Sequence, residues 1–296
     1  MNNTAPNPVL LGKLSRSKIL TRWQAASVGS GERRSRAKGA GMEFADHREY
    51  QMGDDTRHLD THVHARLGKN YIKQYDVYQQ LPITVIVDGS RSMDFGAPNK
   101  FQFAASMASV FGFLGLNGGD LVRIGVTSGD KIVWSPKFHG AQRAPHLFKW
   151  MDKQRPSSRG SLGTALREGV RSMTNRGLVI LLSDMWSEDV EAAVAIIAAS
   201  GQEVWGIHVL TREEVEPESM GDGDVRMLDM ETGHEVEIAL DRSVHDRYRK
   251  ALQAWSGELQ TKFSNVKGRY LLVPSDQSAE KLLLQDWRAL GMIAAY

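Results

Sequence analysis

Three stretches of the chain, PITVIVD (82–88), GLVILLSD (177–184) and EVWGIHVL (203–210), carry apolar residues at nearly every position. Continuous apolar runs suit strands covered on both faces. LVRIGVTS and KIVWS read as a hairpin turning at Gly129–Asp130, and RYLLVPSD as a further strand. Between them lie helical patterns at 99–116, 145–153, 163–174, 188–200, 243–263 (capped by Ser243) and 278–290. Strand–helix alternation predicts an open, doubly wound, mostly parallel α/β sheet with helices on both faces.

The flanks depart from that rhythm. Residues 9–26 are the one helical pattern before Gln80, in a polar segment rich in Gly and Arg. LGKNYIKQYDVYQQLPITVIV then introduces strand-like alternation. After an acidic loop, EVEPESMGDGD, VRMLDM and EVEIAL pair as a hairpin through Glu231-Thr232-Gly233-His234. The expected organisation is a basic arm over 1–30, an accessory region over 31–80, and an α/β domain over 81–296. A hairpin is inserted in that domain at about 215–241.

Composition narrows the chemistry. A 41% hydrophobic and 24% charged chain of 296 residues can bury a sizeable core. The absence of cysteine excludes disulfides, thiolate metal sites and cysteine nucleophiles. The first twenty residues lack a signal-peptide pattern, and no run reaches the ~18 apolar residues of a membrane span, so a cytoplasmic protein is expected. The formal net charge of +2 hides a cluster: Lys13, Arg16, Lys18, Arg22, Arg33, Arg34, Arg36 and Lys38 against Glu32 alone. Such an arm is a solvated segment or a binder of nucleic acid or a membrane surface.

Two strands end in aspartate, Asp88 and Asp184, which places both at the ligand-binding edge of an α/β sheet. Ser90 and Ser92 follow Asp88 at spacing two, so an extended turn aims three oxygens to one side. Carboxylates and hydroxyls without histidine suit Mg²⁺ or Mn²⁺ better than zinc. Asp and Ser also close ordinary turns. Phosphoryl transfer from Asp88, as in a metal-dependent phosphohydrolase, lacks its general acid: Ser90 stands where a second aspartate belongs.

VIVDGSRSM resembles the DxSxS motif of von Willebrand factor A (vWA) domains. GERRSRAKGAGMEFADHREYQMGDDTRHLDTHVHARLGKNYIKQY resembles the characteristic block of the bacterial family called domain of unknown function 58, as do VRMLDMETGHEVEIA and DRYRKAL. The resemblance runs from about Gly31 to the C-terminus. It implies a vWA-like fold and a non-enzymatic interaction module with a metal-ion-dependent adhesion site (MIDAS). It also implies a MoxR-type AAA ATPase as partner, acting on a client protein. In such a site Asp88, Ser90 and Ser92 hold the ion, Asp184 joins from the third loop, and a threonine comes from a second loop. That loop reads SSRGSLGTALREG, with Gly160 at the threonine's place; Ser161 is the nearest hydroxyl and Thr164 lies one turn on. Thr61 likewise stands after Asp60 where that family commonly has tryptophan, which predicts a local packing change.

Other constellations carry less. His58, His62 and His64 with Asp54, Asp55 and Asp60 suggest a metal cluster if 61–65 is extended, but VHARLG also fits a surface strand. Gly39-Ala40-Gly41 has no preceding strand and no Gly-Lys-Ser/Thr after it, so it is no phosphate-binding loop. Ser90 sits in no Gly-x-Ser-x-Gly elbow.

Overall fold

The apolar runs become the middle of a twisted sheet. The computed structural model describes residues 5–22, 42–52, 54, 56–77, 81–156, 160–173, 175–187, 189–221, 223–228 and 235–295. The basic residues Arg33, Arg34, Arg36 and Lys38, the Gly39–Gly41 run, Asp55 and the hairpin turn 231–234 lie outside them. The chain divides into two units, residues 1–22 with 81–296, and residues 23–80.

The larger unit opens with α1 (Pro8–Leu14), capped by the Asn7 side chain with proline at the first turn, and β1 (Ser17–Ile19). The helix expected over 9–26 therefore stops at Leu14, and the chain turns into a strand. In the smaller unit β2 (Met42–Glu49) and β3 (Tyr71–Val77) form an antiparallel ladder with a register shift between Phe44 and Asp46. Between them, α2 (Thr61–Leu67) overturns the extended reading of 61–65. Asp60 caps it by accepting from the N–H groups of His62 and Val63, and Gly68 ends it in the left-handed region at φ 67°.

The central sheet is built from β4 (Pro82–Val87), β5 (Leu121–Ser128), β6 (Lys131–Trp134), β7 (Phe138–His139), β8 (Leu178–Ser183), β9 (Glu203–Leu210) and β12 (Arg269–Pro274). Its order is β12-β9-β8-β4-β5-β6, with β7 also on β5; all neighbours are parallel except β6 and β7. The helices are α3 (Lys100–Asn117), α4 (Ala144–Asp152), α5 (Leu162–Val170), α6 (Val190–Ala199), the short α7 (Arg212–Val215) and α8 (Arg242–Asn265). Asp241, not Ser243, caps α8, because its carboxylate reaches the Val244 N–H. The predicted hairpin is β10 (Gly223–Leu228) with β11 (Glu235–Leu240). The closing helical pattern is α9 (Ala279–Lys281), a π-helical turn over Leu282–Asp286 and α10 (Trp287–Ala289). A last strand, β13 (Ile293–Ala295), returns to pair antiparallel with β1.

Period-two alternation sorts the core into two layers. Ile83, Val85 and Val87 of β4 pack with α1, α3, α4 and Trp287, whose ring stacks on Phe111 at 5.3 Å. Ile86 points the other way, with Val179 and Leu181 of β8, Leu166 of α5 and Phe263 of α8. The sheet order reverses between β4 and β8, and at their carboxyl ends such a fold opens its crevice.

Candidate functional site

Asp88 and Asp184 end adjacent strands, β4 and β8, at that reversal. Both side chains are buried. One Asp88 oxygen accepts the Ser90 N–H at 2.9 Å and the Thr127 hydroxyl at 3.3 Å; the other accepts the Ser183 hydroxyl at 2.6 Å. Ser90 and Ser92 bring their Oγ atoms to 3.0 Å of each other. Gly89 lets this turn press against β5: its N–H donates to Thr127 Oγ1 at 2.8 Å, and a Cβ there would lie 2.2 Å from the Thr127 carbonyl oxygen. Burial and the charge of Asp184 push the Asp88 carboxyl up, against the Ser183 and Ser90 hydrogen bonds. Among the described residues, Asp88 has no cation within ion-pair distance.

Asp184 does have one. Lys100, the first residue of α3, is 1% exposed, and its ammonium donates to Asp184 Oδ2 at 3.1 Å and Glu214 Oε1 at 2.9 Å. Glu214 is itself held by a capping box: its other oxygen accepts the Thr211 N–H at 2.7 Å, and its N–H donates to Thr211 Oγ1. The chain leaves Asp184 through Met185, buried at φ 53° in the left-handed region, to Trp186. The Trp186 ring meets His208 edge-on at 6.2 Å. Burial pushes the His208 imidazole down to about 4, so it stands neutral beside Asp184. Phe95 and Trp186 are 47% and 46% exposed at this edge.

The second-loop hydroxyls are engaged elsewhere. Ser161 caps α5 by accepting the Thr164 N–H at 2.9 Å, and donates its hydroxyl to Asp189. Thr164 Oγ1 accepts from Arg167, which also reaches Asp189 at 3.1 Å. The structure thus brings together Asp88, Ser90, Ser92 and Asp184, and commits the Ser161 hydroxyl to Asp189 and the Thr164 hydroxyl to Arg167. Sequence reasoning missed Lys100 and Glu214. A lysine in the first turn of a helix opposes the macrodipole, which signals a specific acidic partner, and Thr-x-x-Glu at 211–214 spells a capping box.

In the smaller unit Asp54 and Asp60 already have basic partners. Arg48 grips Asp54 with 2.7 Å bonds to both carboxylate oxygens, and Asp60 takes His47 at 2.8 Å and Lys73 at 3.4 Å. The His47 hydrogen bond holds the Asp60 carboxyl well below the usual range. Among the described residues no three His, Asp or Glu side chains converge as a metal cluster, so the strand-end candidate is two carboxylates and two hydroxyls.

The family described as "Protein of unknown function DUF58" matches over residues 46–257. The chain belongs to that family. Uncharacterized proteins of Mycobacterium bovis and Mycobacterium tuberculosis are 28% identical over 258 residues, 84% of this chain and 79% of theirs. Among solved structures, BatB from Bacteroides thetaiotaomicron is similar with TM-score 0.43 and 17% identity, over 71% of this chain and 98% of its own. Manganese-loaded TRAP protein of Plasmodium vivax is similar with TM-score 0.34 and 19% identity, over 43% and 57%. No helix among the described residues is long and apolar enough to cross a membrane.

Proposed function

We propose that the chain is a vWA-like, non-enzymatic interaction module. Its strand-end site would hold Mg²⁺ or Mn²⁺ and receive an acidic group of a partner. The observation that carries this reading is Asp88: a buried carboxylate pushed up by burial and by Asp184, with no cation partner among the described residues, beside two converging hydroxyls. A divalent cation relieves that like-charge pair, and the all-oxygen donor set suits a hard ion. Asp88, Ser90 and Ser92 would hold it and Asp184 would support it. Ser161 or Thr164 would join only by leaving Asp189 or Arg167. When bound, the ion supplies an electrophilic position for a carboxylate. The exposed Phe95 and Trp186 would give the partner apolar contact. The family resemblance points to a MoxR-type AAA ATPase with a client protein as the partner system.

Binding without turnover fits the residues. Ser90 stands where an aspartyl phosphohydrolase places its acid, and His208 is buried against Tyr270 and Trp186. The test is Mn²⁺ titration followed by electron paramagnetic resonance. Wild type is expected to bind and Asp88→Ala to lose at least about tenfold in affinity. Equal affinities in the two folded proteins would sink the metal reading.

A further inference from the structure

Lys100 sits where the ion reading least expects a cation. Its side chain crosses from the first turn of α3 to the carboxyl end of β8, is 1% exposed, and ends on Asp184. Burying an ammonium demands charged partners, and this one has two, Asp184 and Glu214. Glu214 is not a free surface acid: the capping box with Thr211 fixes its second oxygen, so the carboxylate stays aimed at Lys100. Among the described residues, Asp184 has no such fixture on its Lys100-facing oxygen; its other oxygen takes the long 3.5 Å Trp186 N–H. One ammonium therefore spans a fixed carboxylate and a less constrained one.

We infer that Lys100 is a tethered competitor cation. It and a divalent ion share Asp184, and Glu214 is the acceptor that keeps Lys100 satisfied when Asp184 turns toward the ion. The inference rests on the metal reading above and adds a positioning residue to it. Lys100 weakens ion binding, by repulsion and by occupying Asp184, and Glu214 offsets that effect. The two residues thus set an ion affinity lower than Asp88 and Asp184 alone would give.

Opposite signs make this testable in the full-length chain by Mn²⁺ titration, with circular dichroism confirming the fold of each variant. Lys100→Met is expected to bind Mn²⁺ about tenfold or more tighter, because a buried like charge is removed near the ion. Glu214→Gln, which keeps the oxygen acceptor but not the charge, is expected to bind about threefold or more weaker. Lys100→Arg is expected to stay close to wild type. A residue that only braces the fold would move Lys100→Met and Glu214→Gln in the same direction. If wild type binds and Lys100→Met binds equally or more weakly, the inference falls while the metal reading stands. If Lys100→Met does not fold, Glu214→Gln decides: unchanged or tighter binding overturns the inference. If no protein binds, both readings fail. If only Lys100→Met binds, Lys100 fills the site in the native protein, and the inference stands without the native ion.

Discussion

Asp120, just before β5, shows at the scale of one residue what burial does to a carboxyl here. It is 5% exposed and accepts the Leu81 N–H at 3.1 Å. Burial pushes its carboxyl up to about 7, against the pull of that hydrogen bond and of Lys18. The folded chain thus holds this proton more tightly than the unfolded chain does. The resulting stabilisation is complete below about pH 4 and is lost as pH rises through about 7. Asp120→Asn keeps an acceptor for Leu81 and removes the ionisation. It is expected to match wild type at pH 4 and to be more stable by about 4 kcal/mol at pH 8 in urea unfolding. A variant less stable than wild type at pH 8 would contradict this account of Asp120. Single residues were unequally legible. Asp88, Ser90, Ser92 and Asp184 announce themselves by strand-end position and spacing. Lys100 does not, because lysine is ordinarily a surface residue and only its tertiary partners, Asp184 and Glu214, make its burial tenable.

Among the elements, α5 depends on a neighbouring carboxylate. Asp189 accepts from the Ser161 hydroxyl, the Gly163 N–H at 3.2 Å, the Ser187 hydroxyl at 2.5 Å and Arg167. Although burial opposes it, these donors hold the Asp189 carboxyl below its ordinary range. Gly163 is required by closeness: a Cβ there would lie 2.3 Å from the Asp189 carboxyl carbon. Gly163→Ala is therefore expected to displace Asp189 and cost about 2 kcal/mol or more, read from thermal unfolding. Ser161→Ala removes a cap and is expected to cost about 1 kcal/mol. Mn²⁺ affinity should stay unchanged in Ser161→Ala; a loss of affinity would move Ser161 into the ion's ligand set. The central strands were readable because both faces are covered, which leaves little polar interruption. The helix α2 was not, since VHARLG lacks a clear apolar period and its deciding signal is the Asp60 cap. The long helix α8 was readable in body but not at its start, where Asp241 and Ser243 are both good caps and only geometry selects Asp241.

For the whole molecule, the strand alternation foretold the sheet, and two aspartates after strands foretold the edge where the candidate site lies. The closure of the larger unit was hidden. Pairing Ser17 with Ala295 joins two three-residue strands from opposite ends of the chain, and no local pattern announces such a contact. The consequence bears on the basic arm. Leu10, Leu14 and Ile19 are buried in the same cluster as β4 and α3, and Lys13, Lys18 and Arg22 already have internal partners. Lys13 meets Glu280 at 2.5 Å, the Arg22 guanidinium lies 3.8 Å from Glu203 and donates to the Lys267 carbonyl, and Lys18 acts on Asp120. Residues 5–22 therefore behave as part of the fold, not as an appendage. Burying three aliphatic side chains is worth about 1.5–3 kcal/mol each, a large part of the ~5–15 kcal/mol that stabilises an ordinary domain. Deleting residues 1–22 is expected to lower the melting temperature by about 10 °C or more, or to abolish cooperative unfolding. The double variant Lys13→Ala/Arg16→Ala, which removes charge but leaves Leu10, Leu14 and Ile19 in place, should melt within about 2 °C of wild type, because exposed ion pairs contribute little. If the truncation melted like wild type, the N-terminal segment would be an arm after all. DNA or vesicle binding lost on truncation could then be read as loss of a contact and not of the fold.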